Sequence, residues 1–581
     1  MPGFVTVIAK NDKYNSFDTL FTEAKEFSIE RLNYNNITIE TCFSNKFPDD
    51  KFVFQDENFI IALDGMITNL DSLLMQYEEK DTPSLIIKMF YEKKEDLFKD
   101  LRGMFSGVII SKADNKVLVF TDHLMTKPVF YYLHSEFFIF ASEVGLIAKY
   151  LSLFMIEKKI DITGAYLMLT YGYMFDNITL IKDVKKVMHG KVWIFEIDEI
   201  KTHKYYQIPE NQYSSVSEKE AVDTLDSLFN KAVLAQHLKN QHYGKTEFAA
   251  LSAGLDSRMT NFYLRKNYDG PLYNINYSET SFYDQTIPFK LAKQLKSHIL
   301  FQNLDNGLSL LRFKESDNVA DGLVYYAYPT QLLDYMYTID TSKIGIVHTG
   351  VLGDAILSIH SNDSHETRFT LGYGAISQKL TEKLRSTCSR YENTIGDMNY
   401  WLTIRGLGGE YLGYHNAFKQ YSEAMSPFMD VDFADYCFRL PLKYRVGYKI
   451  YNSMVHNKMP EAAKLLRNGT KIPKPKAMRI KLGRNVYYLR NFFHHFKNAM
   501  LRKIRPNHAM NPYNYWYTKN IEVKKIIDDV YFDNIQTLKI DDDLKNDIIY
   551  LYENGDGVER ILVASLISSI KYLILPPKLV L

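Results

Sequence analysis

The chain of 581 residues balances 70 Lys and Arg against 69 Asp and Glu, a formal net charge of +1, with 46% hydrophobic residues. That balance leaves no global field to gather nucleic acid or an acidic surface, and the length supports several domains with cores of their own. Cys42, Cys388 and Cys437 lie too far apart to suggest a disulfide framework or a CxxC metal pair, which fits a reduced, cytoplasmic setting.

The N-terminal MPGFVTVIAKNDKYNS has no basic stretch leading into an apolar one and is not read as a signal peptide. Residues 1–200 are strand-rich: FVTVIA, NFIIAL, GVIIS, KVLVF, PVFYYL, EFFIFA and KVWIFEI are short, β-branched or aromatic, and separated by Asn, Asp, Gly or Lys. That spacing predicts antiparallel sheets. The apolar run 137–156 contains Glu143 and Lys149 and is expected to pack against protein, with no membrane span. QIPENQYSSVSEKE (207–220) is polar and predicts a linker. AVDTLDSLFNKAVLAQHL (221–238) then has helical periodicity, and FAALS, PLYNINYS and KIGIVHTG read as short strands alternating with helices, the pattern of a parallel sheet. From about residue 370 helical patterns dominate. The aromatic patch YNYWY (513–517) reads as core. The segment 560–581 is broken by Lys571 and Pro576-Pro577 and is not expected to cross a membrane. The basic runs KPKAMRIKLGR and RKIRP read as solvated helical faces, so no nucleic-acid partner is expected.

The stretch FAALSAGLDSRM (248–259) places small residues, a carboxylate and two hydroxyls at the end of an apolar strand. In an open parallel sheet, ligands sit beyond the carboxyl ends of the strands. Ser252-Ala253-Gly254 would form the turn, with a helix starting near Asp256 or Ser257. Small residues let the backbone approach an anion, N–H groups at a helix start attract phosphate, and Ser252 and Ser257 add hydroxyl donors. Asp256 would repel phosphate unless a hard cation such as Mg²⁺ lay between them. The plainer alternative is a strand–turn–helix with Asp as N-cap. A Walker A loop is absent from the sequence.

This stretch resembles the SGGxDS pyrophosphatase loop of the N-type ATP pyrophosphatases, and the whole chain resembles the asparagine synthetase family. LRGMFSGVIISKADNKVLVFTDHLMTKPVFYYLHSEFFIFASEVGLI (101–147) and YGYMFDNITLIKDVKKVMHGKVWIFEI (171–197) are similar to segments of the family's first domain. HTGVLGDAI (348–356), Glu423 with PFMD (427–430), LPLKYRVGYKIYNSMV (440–455) and GTKIPKP (469–475) match motifs of the second, in the family's order. The resemblance implies a multi-domain α/β protein. Its parts would be an N-terminal nucleophile-type αββα sandwich of the glutamine amidotransferase kind (1–206), a linker (207–220), a parallel-sheet ATP-pyrophosphatase domain (221–480) and a helical extension packed on it (481–581). It also implies that ATP and Mg²⁺ are used. Leu251 and Gly350 would give backbone contacts to the nucleotide, and Ser252, Gly254, Asp256 and Ser257 would form the phosphate loop. Asp256 and Asp354 would hold Mg²⁺. Lys449 would balance charge on departing pyrophosphate. Glu423 would be either a base or a structural carboxylate paired with a cation. Arg258 would meet a phosphate or lie on a helix surface.

Three departures stand out. The glutaminase half of the family starts Met-Cys-Gly; here Met1-Pro2-Gly3 brings no thiol. The family's glutamine-holding N-G-E appears as Asp64-Gly65-Met66. Val351 and Ala355 replace two acids flanking Asp354. The expectation is therefore an ATP-dependent amide-forming ligase without glutaminase activity, taking a small-molecule or peptide carboxylate and an amine. A non-catalytic binding or regulatory protein, or asparagine synthesis from free ammonia, are the alternatives. A homodimer is left open.

Overall fold

The computed structural model describes residues 2–10, 20–21, 26–196, 199–209, 212–358, 371–392, 409, 411–474, 478–482, 485–488, 500–501, 505 and 507–575. The first half runs β1 (Gly3–Ala9), β2 (Phe27–Tyr34), β3 (Ile37–Ser44), β4 (Lys51–Gln55), β5 (Phe59–Ile67), α1 (Leu70–Tyr77), α2 (Thr82–Lys93), β6 (Gly103–Ser111), β7 (Lys116–Thr121), β8 (Phe130–Leu133), β9 (Phe137–Ala141), α3 (Val144–Leu153), α4 (Ile162–Thr170), β10 (Lys185–Lys186), β11 (Lys191–Glu196) and β12 (Glu199–Lys204). The strands form two antiparallel six-stranded sheets, β10-β8-β9-β1-β3-β2 and β12-β11-β7-β6-β5-β4.

Side-chain alternation builds four layers from these sheets. Phe4 and Ile8 of β1 meet Ile60, Ala62, Val108 and Val119 between the sheets. Val5, Val7 and Ala9 point the other way, onto α3 and α4. Phe59, Ile61 and Leu63 of β5 likewise turn outward onto α1 and α2. Both faces of β1 and β5 are thus covered and every residue in them is buried. Continuous apolar runs such as FVTVIA, rather than alternating ones, follow from that.

The second half contributes α5 (Glu218–His242), β13 (Thr246–Ala250), α6 (Asp256–Asn267), β14 (Leu272–Ser278), α7 (Tyr283–Leu295), β15 (His298–Asn303), α8 (Thr330–Thr338), β16 (Ile344–His348), α9 (Gly353–Leu357), β17 (Glu423–Met425), α10 (Lys449–Lys458), β18 (Arg479–Leu482), β19 (Asn485–Tyr488) and α11 (Gly557–Leu573), with short helices between some of them. Strands β13 to β17 make a parallel sheet in the order β15-β14-β13-β16-β17. The chain winds outward from β13 in one direction and returns at β16 to wind in the other. The carboxyl ends of β13 and β16 therefore flank a topological switch point.

Three elements differ from the sequence expectation. Helix α5 starts at Glu218, inside the polar stretch taken as linker, because Ser217 caps it by accepting from the Glu220 N–H at 3.2 Å. Residues 210–211 of that stretch lie outside the described residues. Part of the run KPKAMRIKLGR is a strand, β18 pairing antiparallel with β19, while its residues 475–477 and 483–484, and 502–504 and 506 of RKIRP, lie outside the described residues. Helix α11 is buried almost all round. Its Ile561, Val563, Leu566 and Ile570 share a core with Leu146, Ile147 and Leu167 of α3 and α4, so it also clasps the N-terminal sandwich. Pro576-Pro577 lie outside the described residues, among which no helix is long and apolar enough to cross a membrane.

Between α5 and the parallel sheet, Glu247 accepts from Asn240 Nδ2 at 2.8 Å and bonds His237 Nδ1 and His348 Nε2, each at 2.6 Å. Burial pushes its carboxyl up, but these partners more than offset that and hold it down at about 2. The folded value lies below the unfolded one. The stabilisation is therefore full above the ordinary glutamate range and is lost as pH falls through that range toward 2. Denaturant unfolding at pH 6 and pH 3 is expected to show a loss, on the order of 2 kcal/mol, that is much reduced in Glu247→Gln.

Candidate nucleotide site

The loop after β13 is folded by its own side chains. Ser257 Oγ accepts from the Ser252 N–H at 2.9 Å, and the Ser252 and Ser257 hydroxyls bond each other at 2.9 Å. Ser252 Oγ accepts from the Gly254 N–H at 3.2 Å, and Asp284 of α7 accepts from the Ala253 N–H at 3.0 Å. Leu251 is fixed through its backbone: its N–H donates to Ile275 O at 2.9 Å and its carbonyl accepts from Asn276 Nδ2 at 2.8 Å.

Helix α6 begins at Asp256 and no side chain caps it. Its first N–H groups thus keep the anion-attracting character of a helix start. Asp256 is not an N-cap; that position is Leu255. Its carboxylate instead accepts from Tyr451 OH at 2.5 Å and from the Asp354 N–H at 3.1 Å.

The loop after β16 closes onto this one backbone to backbone. A Cβ on Gly350 would lie 2.3 Å from Ser257 N and 2.4 Å from Asp256 C, and one on Gly353 would lie 2.7 Å from Asp256 Cγ. Leu352 adopts a left-handed φ of 67° between them, a conformation a branched residue takes only where its surroundings impose it. Burial, and then the neighbouring Asp354, push the Asp256 carboxyl up to about 7. Two carboxylates held so close suit a hard cation, which would favour their charged forms. Among the described residues no group of three or more His, Cys, Asp and Glu could hold a metal, so such a cation would take its remaining oxygens from ligand and water.

The two loops open into a cavity of about 380 Å³. Leu251, Ser252, Gly254, Asp256, Ser257 and Gly350, all predicted site residues, line it together with Val351. Asp354 joins through its contact with Asp256. Lys449 and Glu423 are placed elsewhere. Tyr448 is left-handed, φ 60°, where α10 begins. From that start Tyr448 and Tyr451, three apart on one face, reach Asp354 Oδ2 at 3.4 Å and Asp256 Oδ1. Lys449 is turned away to Glu218 Oε2 at 3.1 Å. Glu423, at the start of β17, is ion-paired with Lys51 and Lys127. Arg258 neither faces a phosphate nor lies on a surface: it is 1% exposed and donates to the carbonyls of Ala253, Ala462, Leu465 and Leu466, pinning the later segment over the loop. Sequence reasoning missed Tyr448, Tyr451, Arg467, which stacks 4.1 Å over the Tyr448 ring, and the cavity residues Tyr277, Tyr328, Tyr414 and Asn511. Only the tyrosine spacing in GYKIYNS hinted at any of them.

With this geometry in place, residues 48–206 match the model of the glutamine amidotransferase domain. A Methanocaldococcus jannaschii protein, named by inference as a second glutamine-hydrolysing asparagine synthetase, is 25% identical over 274 residues, 44% of this chain and 52% of that protein. The chain is asparagine synthetase-like. It spans about half the length of that curated relative. Among solved structures, glutamine phosphoribosylpyrophosphate amidotransferase from B. subtilis with ADP and GMP is 10% identical, covering 46% of this chain and 77% of its own, at a TM-score of 0.23. A structure of the allosteric regulatory enzyme of purine biosynthesis is 8% identical, covering 52% and 74%, at 0.24.

In this asparagine synthetase-like chain, Pro2, Ser106, Ser142, His415 and Lys419 surround, with four paired charges, a space of only about 10 Å³, room for about one water. The charges are Lys51, Asp64, Lys127 and Glu423. Lys51 pairs with Asp64 and lies 2.5 Å from Glu423; Lys127 lies 3.0 Å from Asp64 and 2.7 Å from Glu423. Burial pushes the Asp64 carboxyl up, and the two ammonium groups more than offset it, holding it well below the usual carboxylate range.

Two substitutions test these packings. Gly350→Ala is expected to cost about 1–3 kcal/mol by forcing the loops apart, measured by denaturant unfolding. Lys127→Met, which leaves buried carboxylates short of a partner, is expected to cost about 3–5 kcal/mol in the same measurement.

Proposed function

We propose that this chain is an ATP-dependent amide-forming ligase. A substrate carboxylate oxygen attacks the α-phosphorus of ATP and pyrophosphate leaves. An amine nitrogen then attacks the acyl carbon, loses its proton, and AMP leaves. The observation that carries this reading is the uncapped start of α6 beside the neighbouring carboxylates Asp256 and Asp354, with Asp256 lining the cavity. Mg²⁺, when bound, would screen the triphosphate and make the pyrophosphate a better leaving group. The residues of the chain supply position. Ser252, Gly254 and Ser257 shape the loop that would receive phosphate, Asp256 and Asp354 would hold the cation, and Tyr451 orients Asp256. Holding carboxylate and α-phosphate together removes the entropy of their encounter.

The N-terminal domain, in this reading, does not hydrolyse glutamine. The closed, ion-paired space beside Pro2 supports it, as does the burial of all three cysteines, which pushes the Cys42 and Cys437 thiols up and away from reactivity. The amine then comes from another source. The placement of Lys449 away from the cavity favours one competing reading, a protein that binds MgATP without turnover.

Thermal unfolding with MgATP, with ATP plus EDTA, and with Asp256→Asn separates these. Ligand at a hundred times its Kd is expected to stabilise the fold by about 2.7 kcal/mol, only with magnesium and not in the variant. No shift at millimolar MgATP overturns the nucleotide reading. A shift without pyrophosphate release across a panel of acids and amines favours binding without turnover. Incubation with glutamine is expected to release no glutamate above the buffer blank, and release would overturn the inactive-domain reading.

A further inference from the structure

Strand β17 is the edge of the parallel sheet and pairs, among the described strands, with β16 alone. At three residues it offers few ladder bonds, and its place is fixed from outside the sheet. At its head Glu423 meets Lys51 at 2.5 Å and Lys127 at 2.7 Å, both from the N-terminal sandwich. Met425 shares an apolar cluster with Phe47, Met66 and Met104 of that same half. From this anchored strand the chain grips the loop after β16 three times. Met425 O accepts from the Thr349 N–H at 2.8 Å, and Ser426 Oγ donates to Val351 O at 2.8 Å. The Phe428 ring lies so close to Gly353 that a Cβ there would be 2.8 Å from it. Residues 425, 426 and 428 thus hold 349, 351 and 353, and Asp354 comes next in the chain.

We infer that Glu423 is a positioning residue for the nucleotide site, and that the N-terminal sandwich, through Lys51 and Lys127, is the brace that holds it. The inference rests on the nucleotide reading above. Glu423 and the two lysines are absent from the described residues that line the cavity, so they act on a ligand only through β17. What they set is the spacing of two carboxylates. Asp354 is placed by the loop that β17 grips, and its N–H donates to Asp256 at 3.1 Å. Asp256 is placed separately, by the start of α6 and by Tyr451. A displaced β17 therefore changes the distance between the acids instead of carrying both along. Mg²⁺ demands near-ideal octahedral geometry, so a cation shared by the two acids feels a small drift in that distance. Removing an ammonium partner leaves Glu423 buried and short of compensation, which drives such a drift.

The test uses the full chain and two probes, ATP at fixed concentration and Mg²⁺ titrated into it. The readouts are the Kd for MgATP and the magnesium concentration that gives half the thermal stabilisation. Glu423→Gln and Lys127→Met loosen the anchor, and Ser426→Ala removes one grip on the loop. Met89→Ala, in the core between α2 and the outer face of β5, lowers stability without touching the brace. Glu423→Gln and Lys127→Met are expected to raise the magnesium requirement and the Kd about tenfold, and Ser426→Ala to move both in the same direction. Met89→Ala is expected to change them by less than about twofold, although its unfolding midpoint without ligand falls. A purely structural role for Glu423 would lower midpoints and leave the magnesium requirement alone. Should Lys127→Met not fold, Glu423→Gln and Ser426→Ala decide the matter. Unchanged values in those two, or an equal weakening in Met89→Ala, overturn the inference and leave nucleotide binding standing. Failure of MgATP to stabilise the unsubstituted chain overturns the nucleotide reading instead.

Discussion

Four charges buried between the two halves fix how the molecule is put together. Lys51, Asp64 and Lys127 come from the N-terminal sandwich and Glu423 from the parallel sheet, so the cluster reaches neutrality only when the halves meet. Burying an unpaired ammonium group is expensive, and the first half alone carries one too many. Glu423 also pairs in register with Ile346 of β16, the strand that leads into the second loop. The domain junction and the candidate nucleotide site are thereby tied through one short strand pairing. Lys239 adds a second tie, 2.6 Å from the buried Asp50.

The site has two unlike ends. At one, glycine at 350 and 353 permits a backbone contact that brings Asp256 and Asp354 together, and burial makes their joint charge hard to bear without a cation. At the other, uncharged tyrosine, glutamine and asparagine residues line the cavity. Val351 marks the boundary. The acids that the family resemblance would place on either side of Asp354 are gone, and the wall that replaces them is neutral. Arg258 gathers four carbonyls, and Arg467 stacks on Tyr448 and faces the charge of Asp256.

Local signals were legible in the sequence and contacts between distant segments were not. FAALSAGLDS reads as strand, turn and helix because apolar, small and polar residues succeed one another there, and the structure places those elements where the pattern does. The alternation of strands and helices likewise indicated a parallel sheet. The direction of Lys449 was not legible, since it depends on the left-handed turn at Tyr448, and a helix rotates each successive side chain by about 100°. Nor were the partners of Glu423: Lys127, 296 residues away in a loop, and Lys51, farther still at the start of β4. Strand β17, at three residues, is too short to show a period. The contribution of Asn511 rests on where a long chain finally returns, which no local rule reports.

That return has a temporal side. Helix α11 covers α3 and α4, which are synthesised long before it. At about 5–20 residues per second the interval between them is on the order of a minute or less. Throughout that interval the apolar flank around Leu146, Ile147 and Leu167 lacks the helix that covers it in the folded protein.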